Sequence, residues 1–433
     1  MKKKSIGVGL MGLGVISGQV AKVLKDKSEL LKEQVGCPLE LKKIKVLPQD
    51  LNRPLVSEFG AHLFTTDEDE FFTTPGIDIV VEAIGGEHPA FEYHQRALSS
   101  GKHVVTSNKE VIAKRGTELF ALAQKNMVSV RYEASVGGGI PLISPFLFDL
   151  VANRIKGIYA IINGTTNYIL TRMAKEGSDF APALKKAQEL GYAEANPRDD
   201  VEGIDATYKL AILSSLGFHT RVGPQDIHHE GISRLSNRDF RYAQELGFAI
   251  KLLAIAKQDD KWIEVRVHPV FISEDSLLAK VDGVYNAILV EGDLVGKVLF
   301  YGEGAGPFPT SSAVIADVVS VAQDILLCSG PRIKWQPGAK NIKPMADLIT
   351  RYYIRMTVSD QAGVLTQITR ILGDNNISIS ACIQKEADEA NQSAEIVIMT
   401  HPANEAAMQR AIQEMGKLNV VKEISNFIRV EDM

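Results

Sequence analysis

The sequence predicts an α/β chain in three parts: a doubly wound parallel-sheet domain, an α+β domain and a C-terminal ferredoxin-like βαββαβ module. Three observations predict it. Apolar strand runs alternate with helical stretches through the first third. A glycine–proline punctuation, Gly137-Gly138-Gly139-Ile140-Pro141, is followed by a change of pattern. The end of the chain then runs strand, helix, strand, strand, helix, strand, which is the ferredoxin-like order.

In the first part, expected as residues 1–136, strands are read at Ile6 to Met11, Leu41 to Leu47, Ile77 to Ala83, His103 to Thr106 and Val128 to Tyr132, with a helix beginning over Gln19 to Leu24. Parallel strands separated by helices place ligands at the strands' carboxyl ends. Such a place is the turn Gly12-Leu13-Gly14-Val15-Ile16 between the first strand and its helix. Glycines there permit a tight turn and the approach of a pyrophosphate to the helix N-terminus, which makes this a Rossmann-type nucleotide-binding domain. A second glycine register, Gly7 to Gly12, falls inside the strand and is discounted, and Ser17 stands where the third glycine of the pattern belongs. Asp50 after the second strand is a candidate for the ribose, although it lies well beyond the usual spacing of about 20 residues. Asp50 favours a free 2′-hydroxyl and Arg53 a 2′-phosphate, so NAD and NADP both stay open, and a mere turn cap at Asp50 is the plain alternative. Thr106-Ser107-Asn108-Lys109 follows the fourth strand, where catalytic groups of such sheets sit.

The second part is expected as a substrate domain over 137–310. It carries helices at Ala183 to Leu190, Asp205 to Leu216 and Phe240 to Ala256, and strands at Ile158 to Ile162 and Trp262 to Val267. Residues 311–345 hold a long apolar helix, Ser311 to Leu327, which either pairs subunits or returns to the first sheet, and a linker at Trp335-Gln336-Pro337-Gly338. The module over 350–433 has strands at Tyr352 to Val358, Ser378 to Gln384, Glu395 to Thr400 and Val420 to Val430, with helices at Val364 to Asn375 and Glu405 to Glu414.

The most informative stretch runs from Gly191-Tyr192-Ala193-Glu194 through Asp200 to Asp205 and Lys209. Asp205 and Lys209 are four residues apart and share a helix face. Lys209 lies on the side of Ile212, Leu213 and Leu216, with Thr207, Ala211 and Ser214 opposite. A lysine in an apolar stripe is costly unless paired or functional, and such a group can carry a proton. The bland reading is a surface ion pair. Glu133, before the glycine run, either ligates a cation or orients the loop, and Asn163-Gly164-Thr165-Thr166-Asn167 reads as a polar turn facing a substrate. His228-His229 lacks metal-ligand spacing and reads as an ordinary surface feature.

A net charge of −5 argues against a nucleic-acid partner. With 45% hydrophobic and 23% charged residues the chain is globular rather than disordered. Cys37, Cys328 and Cys382 are scattered without CxxC spacing, which disfavours a disulfide framework and a zinc site. Met1-Lys2-Lys3-Lys4 before an apolar stretch imitates a signal peptide, but glycines interrupt that stretch and charge resumes at Lys22 and Lys25. A cytoplasmic chain with no membrane partner is expected.

The segments VGLMGLG, VVEAIGG, GKHVVTSNK, YEASVGGGIP, NGTTNYIL, ELGYAEANPRDDVEGIDATYK and YGEGAGPFPTSSAVIADVV, in that order over nearly the whole chain, resemble homoserine dehydrogenases of the bacterial form with a C-terminal ACT domain. The resemblance implies reversible NAD- or NADP-dependent reduction of L-aspartate 4-semialdehyde to L-homoserine. Lys209 is then the proton shuttle and Lys109 a second essential lysine near the nicotinamide. Glu194 holds the substrate's amino group, and Asp200 and Asp205 share the pocket, lined also by Gly191, Tyr192, Asn163 and Thr165. Gly306 belongs to a loop closing on the cofactor. Glu133 with the carbonyls of Val136, Gly138 and Ile140 matches a site for a structural monovalent cation, sodium or potassium. Many members carry an arginine just before the aspartate that selects NADP, where this chain has Gln49.

The module with Asp360, Gly363 and Asn376 is similar to ACT domains, which pair through their sheets and bind amino acids. L-threonine is the expected effector, and a homo-oligomer, dimer or tetramer, the expected assembly; a ligand-free dimerisation domain is the plain alternative. No kinase-sized segment precedes Met1, so a fused kinase is not expected. Two rivals stand beside this reading. A semialdehyde dehydrogenase needs a nucleophilic cysteine beside a base, and none of the three sits so. A non-catalytic sensor would not require Lys109, Glu194, Asp205 and Lys209 together.

Overall fold

The computed structural model describes residues 3–330, 338, 341–388, 390 and 392–433. The linker expected at Trp335-Gln336-Pro337-Gly338 lies, apart from Gly338, outside the described residues. The chain divides into two compact units, one of Met1–Ile158, Tyr208–Gln225 and Ile288–Ala339, the other of Tyr159–Thr207, Asp226–Ala287 and Lys340–Met433.

In the first unit, β1 (Ile6–Met11), β2 (Leu39–Lys45), β3 (Phe64–Thr65), β4 (Ile79–Glu82), β5 (His103–Thr106) and β6 (Val130–Arg131) form a parallel sheet in the order β3-β2-β1-β4-β5-β6. The order reverses at β1, and the crevice there is the topological switch point where such sheets bind ligands. Gly7 and Gly9 of the discounted register lie within β1, and a Cβ on Gly7 would come within 1.7 Å of the Gly76 carbonyl oxygen. That glycine serves strand packing. The second strand starts two residues earlier than read and stops at Lys45, because Pro48 opens a tight turn over Pro48–Asn52.

Helices α1 (Val15–Asp26), α2 (Ser28–Val35), α3 (Pro54–Phe59), α4 (Glu68–Thr73), α5 (Ala90–Ser99) and α6 (Lys109–Lys125) connect the strands. The long apolar helix, α12 (Pro307–Leu326), packs into the same core. Val314, Val318 and Val321 meet the apolar side of α1 at Val20 and Ala21, all at most 0% exposed. The return to the first sheet is therefore the alternative this helix realises within the unit. Strands β7 (Ile155–Ile161) and β11 (Tyr285–Gly292) run across the division, and β12 (Gly296–Glu303) lies in the first unit.

The second unit carries α7 (Gly164–Glu176), α8 (Phe180–Glu189), α9 (Arg198–Val201) and α11 (Asn237–Glu245). The helix α10 (Ile204–Gly217) begins there and continues into the first unit. The helix read over Phe240 to Ala256 is corrected: α11 ends at Glu245, and β9 (Phe248–Gln258) follows. Gly247 at φ 76° breaks the helix, and the run Ala249 to Ala256 is buried on both faces of a strand, a pattern that an apolar helix shares. β9 pairs antiparallel with β10 (Trp262–Ser273), against which short β8 (His228–His229) and β13 (Asn341–Ile342) also align.

The C-terminal module follows as β14 (Ile349–Ser359), α13 (Val364–Asp374), β15 (Ile379–Asp388), β16 (Ser393–Thr400), β17 (Ala403–Asn404), α14 (Glu405–Met415) and β18 (Val421–Val430). Its sheet order is β18-β14-β16-β15, and the two-residue β17 is an addition to the βαββαβ pattern. β18 also pairs with β10 through Val270–Arg429 and Phe271–Val430, so the module's sheet continues that of β9 and β10. Among the described residues, no helix is long and apolar enough to cross a membrane.

Candidate functional site

At the carboxyl ends of β1, β2 and β4 a cleft of about 450 Å³ opens, lined by Gly12, Leu13, Gly14, Asp50, Arg53 and Ile84 among others. Gly12 has φ 92°, and a Cβ there would come within 2.6 Å of the Ile84 side chain. Only glycine fits that turn. Gly14 faces nothing within 4 Å where its Cβ would stand, so the turn offers open backbone to a ligand. It is the N-cap of α1 and supplies no side-chain bond. Val15 and Ile16 open the helix, where N–H groups lack intrahelical partners and the dipole favours an anion. A bare turn leading to an uncapped helix N-terminus fits a dinucleotide's pyrophosphate. Ser17, in place of a glycine, is accommodated: it is buried, and its hydroxyl donates a long bond to the Met11 carbonyl at 3.4 Å.

Asp50 and Arg53 are brought together at the rim. Arg53 Nε lies 2.8 Å from Asp50 Oδ1, and Leu47 N donates to Asp50 Oδ2 at 3.3 Å. The Arg53 guanidinium also donates to the Leu13 carbonyl, tying this pair to the glycine turn. Thr106, Ser107, Lys109 and Gly306 do not line this part of the cleft. Lys109 is the first residue of α6, half-buried, and Asn108 caps that helix by accepting from Val111 N at 3.1 Å. From the same helix, Lys114 Nζ stands 5.5 Å from the ring of Tyr208, the neighbour of half-buried Lys209 on α10. Gly306, at φ 119°, is the N-cap of α12.

Glu133 is 6% exposed and its carboxylate gathers the following loop. Oε1 accepts from Leu142 N at 2.6 Å and Ile143 N at 2.8 Å, and Oε2 from Ser144 N at 2.8 Å. Of the two roles read for it, loop orientation is the one its printed bonds perform. Val136, Gly138 and Ile140 lie in that loop, with Ile140 N donating to the Gly137 carbonyl at 2.9 Å. Glu133 N donates to Asp317 Oδ2 at 2.8 Å. Burial pushes the Asp317 carboxyl up to about 7, the Glu133 N–H opposing and the Glu133 charge adding.

In the second unit Asn163 does the assembling. It is 5% exposed, and its Nδ2 donates to Asp200 Oδ1 at 2.6 Å and to Asp205 Oδ2 at 2.9 Å. Its Oδ1 accepts from Thr166 N at 2.8 Å, capping α7. The stretch read as a polar turn is thus corrected to a helix start, because the residues behind the cap, Ile169, Leu170 and Met173, supply a buried face. Thr165 Oγ1 donates to the Tyr192 carbonyl at 2.6 Å, and the Tyr192 ring packs 4.9 Å from that of Tyr168. Gly191 takes φ 77°, and exposed Glu194 is joined to its surroundings by its carbonyl, which accepts from Gln188 Nε2 at 3.1 Å.

Asp205 is 4% exposed on α10, one turn before Lys209. The two-sided picture of this helix is corrected: Thr207, Ala211 and Ser214 are as buried as Leu213 and Leu216, so α10 is enclosed all round. His228 is also more than a surface feature, since its Nε2 lies 2.7 Å from Glu230, a carboxylate that Arg429 of β18 approaches at 2.9 Å.

In the module, Gly363 at φ 88° caps α13 and Asn376 takes φ 57°, both exposed, and Asp360 N donates to the Gln392 carbonyl at 3.1 Å. Sequence reasoning missed two buried polar centres. Arg355 of β14 joins Asp239 of α11 at 2.8 Å and Glu395 at 2.9 Å. Glu82, at the end of β4, joins His94 of α5. The only sequence signal for the first was a charged residue at an inward strand position.

A glycine-turn cleft at the switch point, a separate cluster of carboxylates held by an amide, and a βαββαβ module define a class: nucleotide-dependent α/β enzymes with an amino-acid-type regulatory domain. Comparison with known proteins gives the family. Residues 12–133 match the NAD-binding domain of homoserine dehydrogenase, 141–319 the homoserine dehydrogenase catalytic family and 352–420 the ACT domain. The chain is 42% identical to a homoserine dehydrogenase of Neisseria gonorrhoeae over 99% of both chains, and 39% identical to that of Bacillus subtilis over 99% of both. A crystal structure of the Thiobacillus denitrificans homoserine dehydrogenase superimposes with a TM-score of 0.93 at 42% identity, covering 100% of each chain. A hyperthermophilic archaeal homoserine dehydrogenase in complex with NADPH superimposes at 0.61 with 27% identity, over 73% of this chain and 97% of that one. The chain belongs to the homoserine dehydrogenase family, oxidoreductases with a nicotinamide-nucleotide-binding domain.

Proposed function

We propose that this chain interconverts L-homoserine and L-aspartate 4-semialdehyde, with Lys209 as the proton shuttle, in the supply of threonine, methionine and isoleucine. The observation that carries the reading is the Asn163 amide bonded to both Asp200 and Asp205, with Lys209 one turn further along the helix of Asp205. Bound NAD or NADP would supply the hydride acceptor or donor. In the oxidising direction Lys209 takes the proton of the substrate's C4 hydroxyl as the C4 hydride departs, and in the reducing direction it returns it. Asp205 sets the lysine's electrostatic surroundings. Lys109 orients the reacting oxygen, Glu194 and Asp200 hold the ammonium group, and Thr165 with Gly191 and Tyr192 shapes the pocket wall.

Gly12, Leu13, Gly14, Val15 and Ile16 carry the pyrophosphate, and Asp50 with Arg53 the adenosine end. Thr106, Ser107 and the Gly306 loop close on the nicotinamide end. Because Asp50 is engaged by Arg53, the guanidinium is held beside the position of a 2′-phosphate, which favours NADP. The carbonyls of Val136, Gly138 and Ile140 with Glu133 form a site for sodium or potassium. The ACT loop of Asp360, Gly363 and Asn376 takes L-threonine as a feedback effector in a dimeric or tetrameric, cytoplasmic enzyme. The domain assignment that goes with this is 1–136, 137–310, 311–345 and 350–433.

Homoserine-dependent reduction of NAD and of NADP, followed by nicotinamide absorbance in wild type and Lys209→Ala, tests the reaction and the shuttle together. Loss of about 10²–10⁴ in kcat is expected for the variant. Wild-type inactivity with both cofactors would refute the function, and an active variant would refute the role of Lys209.

A further inference from the structure

We propose that Glu82 is a positioning residue for the dehydrogenase reaction, setting the start of α6, and with it Lys109, through Thr106 and Asn108. The inference rests on the reading of Lys109 given above. Glu82 is the last residue of β4 and is 0% exposed. Each of its carboxylate oxygens is engaged. Oε1 accepts from Ile84 N at 2.7 Å. Oε2 accepts from the Thr106 hydroxyl at 2.7 Å and lies 2.9 Å from Nε2 of His94, a residue also 0% exposed.

The chain of bonds leads outward from there. Thr106 Oγ1 accepts from Asn108 N at 2.9 Å, and the Asn108 side chain donates to the Gly86 carbonyl at 2.7 Å while capping α6. Lys109 is the next residue. In the other direction, Ile84 fills the space beside Gly12 in the glycine turn. One carboxylate therefore ties the cofactor turn's neighbour to the backbone that launches Lys109.

Stability alone does not account for this group. A buried ion is taken from water at a cost of several kcal/mol, and an apolar replacement of matching shape would often serve the core as well. Burial pushes the Glu82 carboxyl up, but the donors from His94, Ile84 and Thr106 outweigh it and hold it below the ordinary range. The carboxylate is thus an ionised acceptor. His94 Nδ1, in turn, is buried with no hydrogen-bond partner among the described residues, so His94 has Glu82 as its polar anchor. The Thr106 hydroxyl donates to one side and accepts on the other, a relay that a methyl group cannot replace.

The test compares Glu82→Gln, Thr106→Val, Thr106→Ser and Lys109→Ala in the full chain, reading kcat and KM for homoserine together with cofactor Kd from nucleotide fluorescence. Thr106→Val, nearly isosteric, should lower kcat at least tenfold with cofactor Kd changed less than threefold, and Thr106→Ser should restore kcat to within threefold of wild type. Glu82→Gln keeps an acceptor for one donor only and should resemble Thr106→Val. A purely packing role predicts the reverse order, since Ser lacks the methyl group that Val retains. If Glu82→Gln does not fold, the Val and Ser pair decides the matter. Collapse of Lys109→Ala with Thr106→Val at wild-type kcat would overturn the inference and leave the role of Lys109 standing. An active Lys109→Ala would overturn both.

Discussion

Replacing Asn163 by aspartate separates two things that the asparagine does at once. The carboxylate keeps an acceptor for Thr166 N, so the cap of α7 survives, aspartate being as good an N-cap as asparagine. What is lost is the donor that faces Asp200 Oδ1 at 2.6 Å and Asp205 Oδ2 at 2.9 Å. Hydrogen bonds to charged groups contribute about 1.5–3 kcal/mol each, so removing both costs about 3–6 kcal/mol before any repulsion is counted. The new carboxylate then stands against two others, and its folded pKa rises above an unfolded value near ~3.9. A raised folded pKa means that stability is fully present below the unfolded value and is lost as the pH rises through the folded one. Asn163→Asp should therefore approach wild type in acid and fall behind it by the full amount at alkaline pH. Urea denaturation midpoints taken across that range check this, with homoserine KM measured alongside and expected to rise at least tenfold at alkaline pH. A variant whose stability deficit does not grow with pH would refute the argument that the amide is the donor holding the two carboxylates together.

Asp317→Asn keeps the acceptor for Glu133 N while removing a charge whose carboxyl is raised from 3.8 to about 7 by burial. The wild type should lose stability as the pH rises from about 4 through 7, by at most ~4 kcal/mol, and the variant should not; thermal melts at several pH values would show it. Arg53→Ala removes the guanidinium bonded to Asp50 and to the glycine turn, and should lower kcat/KM at least tenfold with NADP but less than threefold with NAD. Equal losses with both cofactors would mean that Arg53 only braces the turn. Arg355→Met leaves Asp239 and Glu395, 0% and 4% exposed on their side chains, without their shared cation. A loss of about 3–5 kcal/mol in denaturant titrations is expected, with partial recovery when Asp239→Asn is added.

What the sequence made legible was whatever repeats locally. β1 and β5 fall where the apolar runs put them, α12 follows its long apolar stripe, and the ACT module's strands and helices appear in the expected order, because each buries a face whose period is written in neighbouring residues. The misreading over Phe240 to Ala256 has the same origin, since an apolar run buried on both faces carries no period and only Gly247 marks the change. Polar assembly follows another rule. Glu133 is bound by the backbone N–H groups of Leu142, Ile143 and Ser144, donors that every non-proline residue has and that leave no trace in side-chain pattern.

Asn163 meets Asp200 and Asp205, and Glu82 meets His94 and Thr106, only after strands and helices have been laid side by side. Family motifs pointed to Asp200 and Asp205, but they did not say that an amide from another helix start would join them. The resemblance thus names residues that face a substrate, while the structure adds those that hold them: Asn163 between two carboxylates, and Glu82 behind Thr106. Substitution at these supporting positions should separate binding from turnover more cleanly than removing a reacting lysine, because they leave the reacting groups present and change only where they stand.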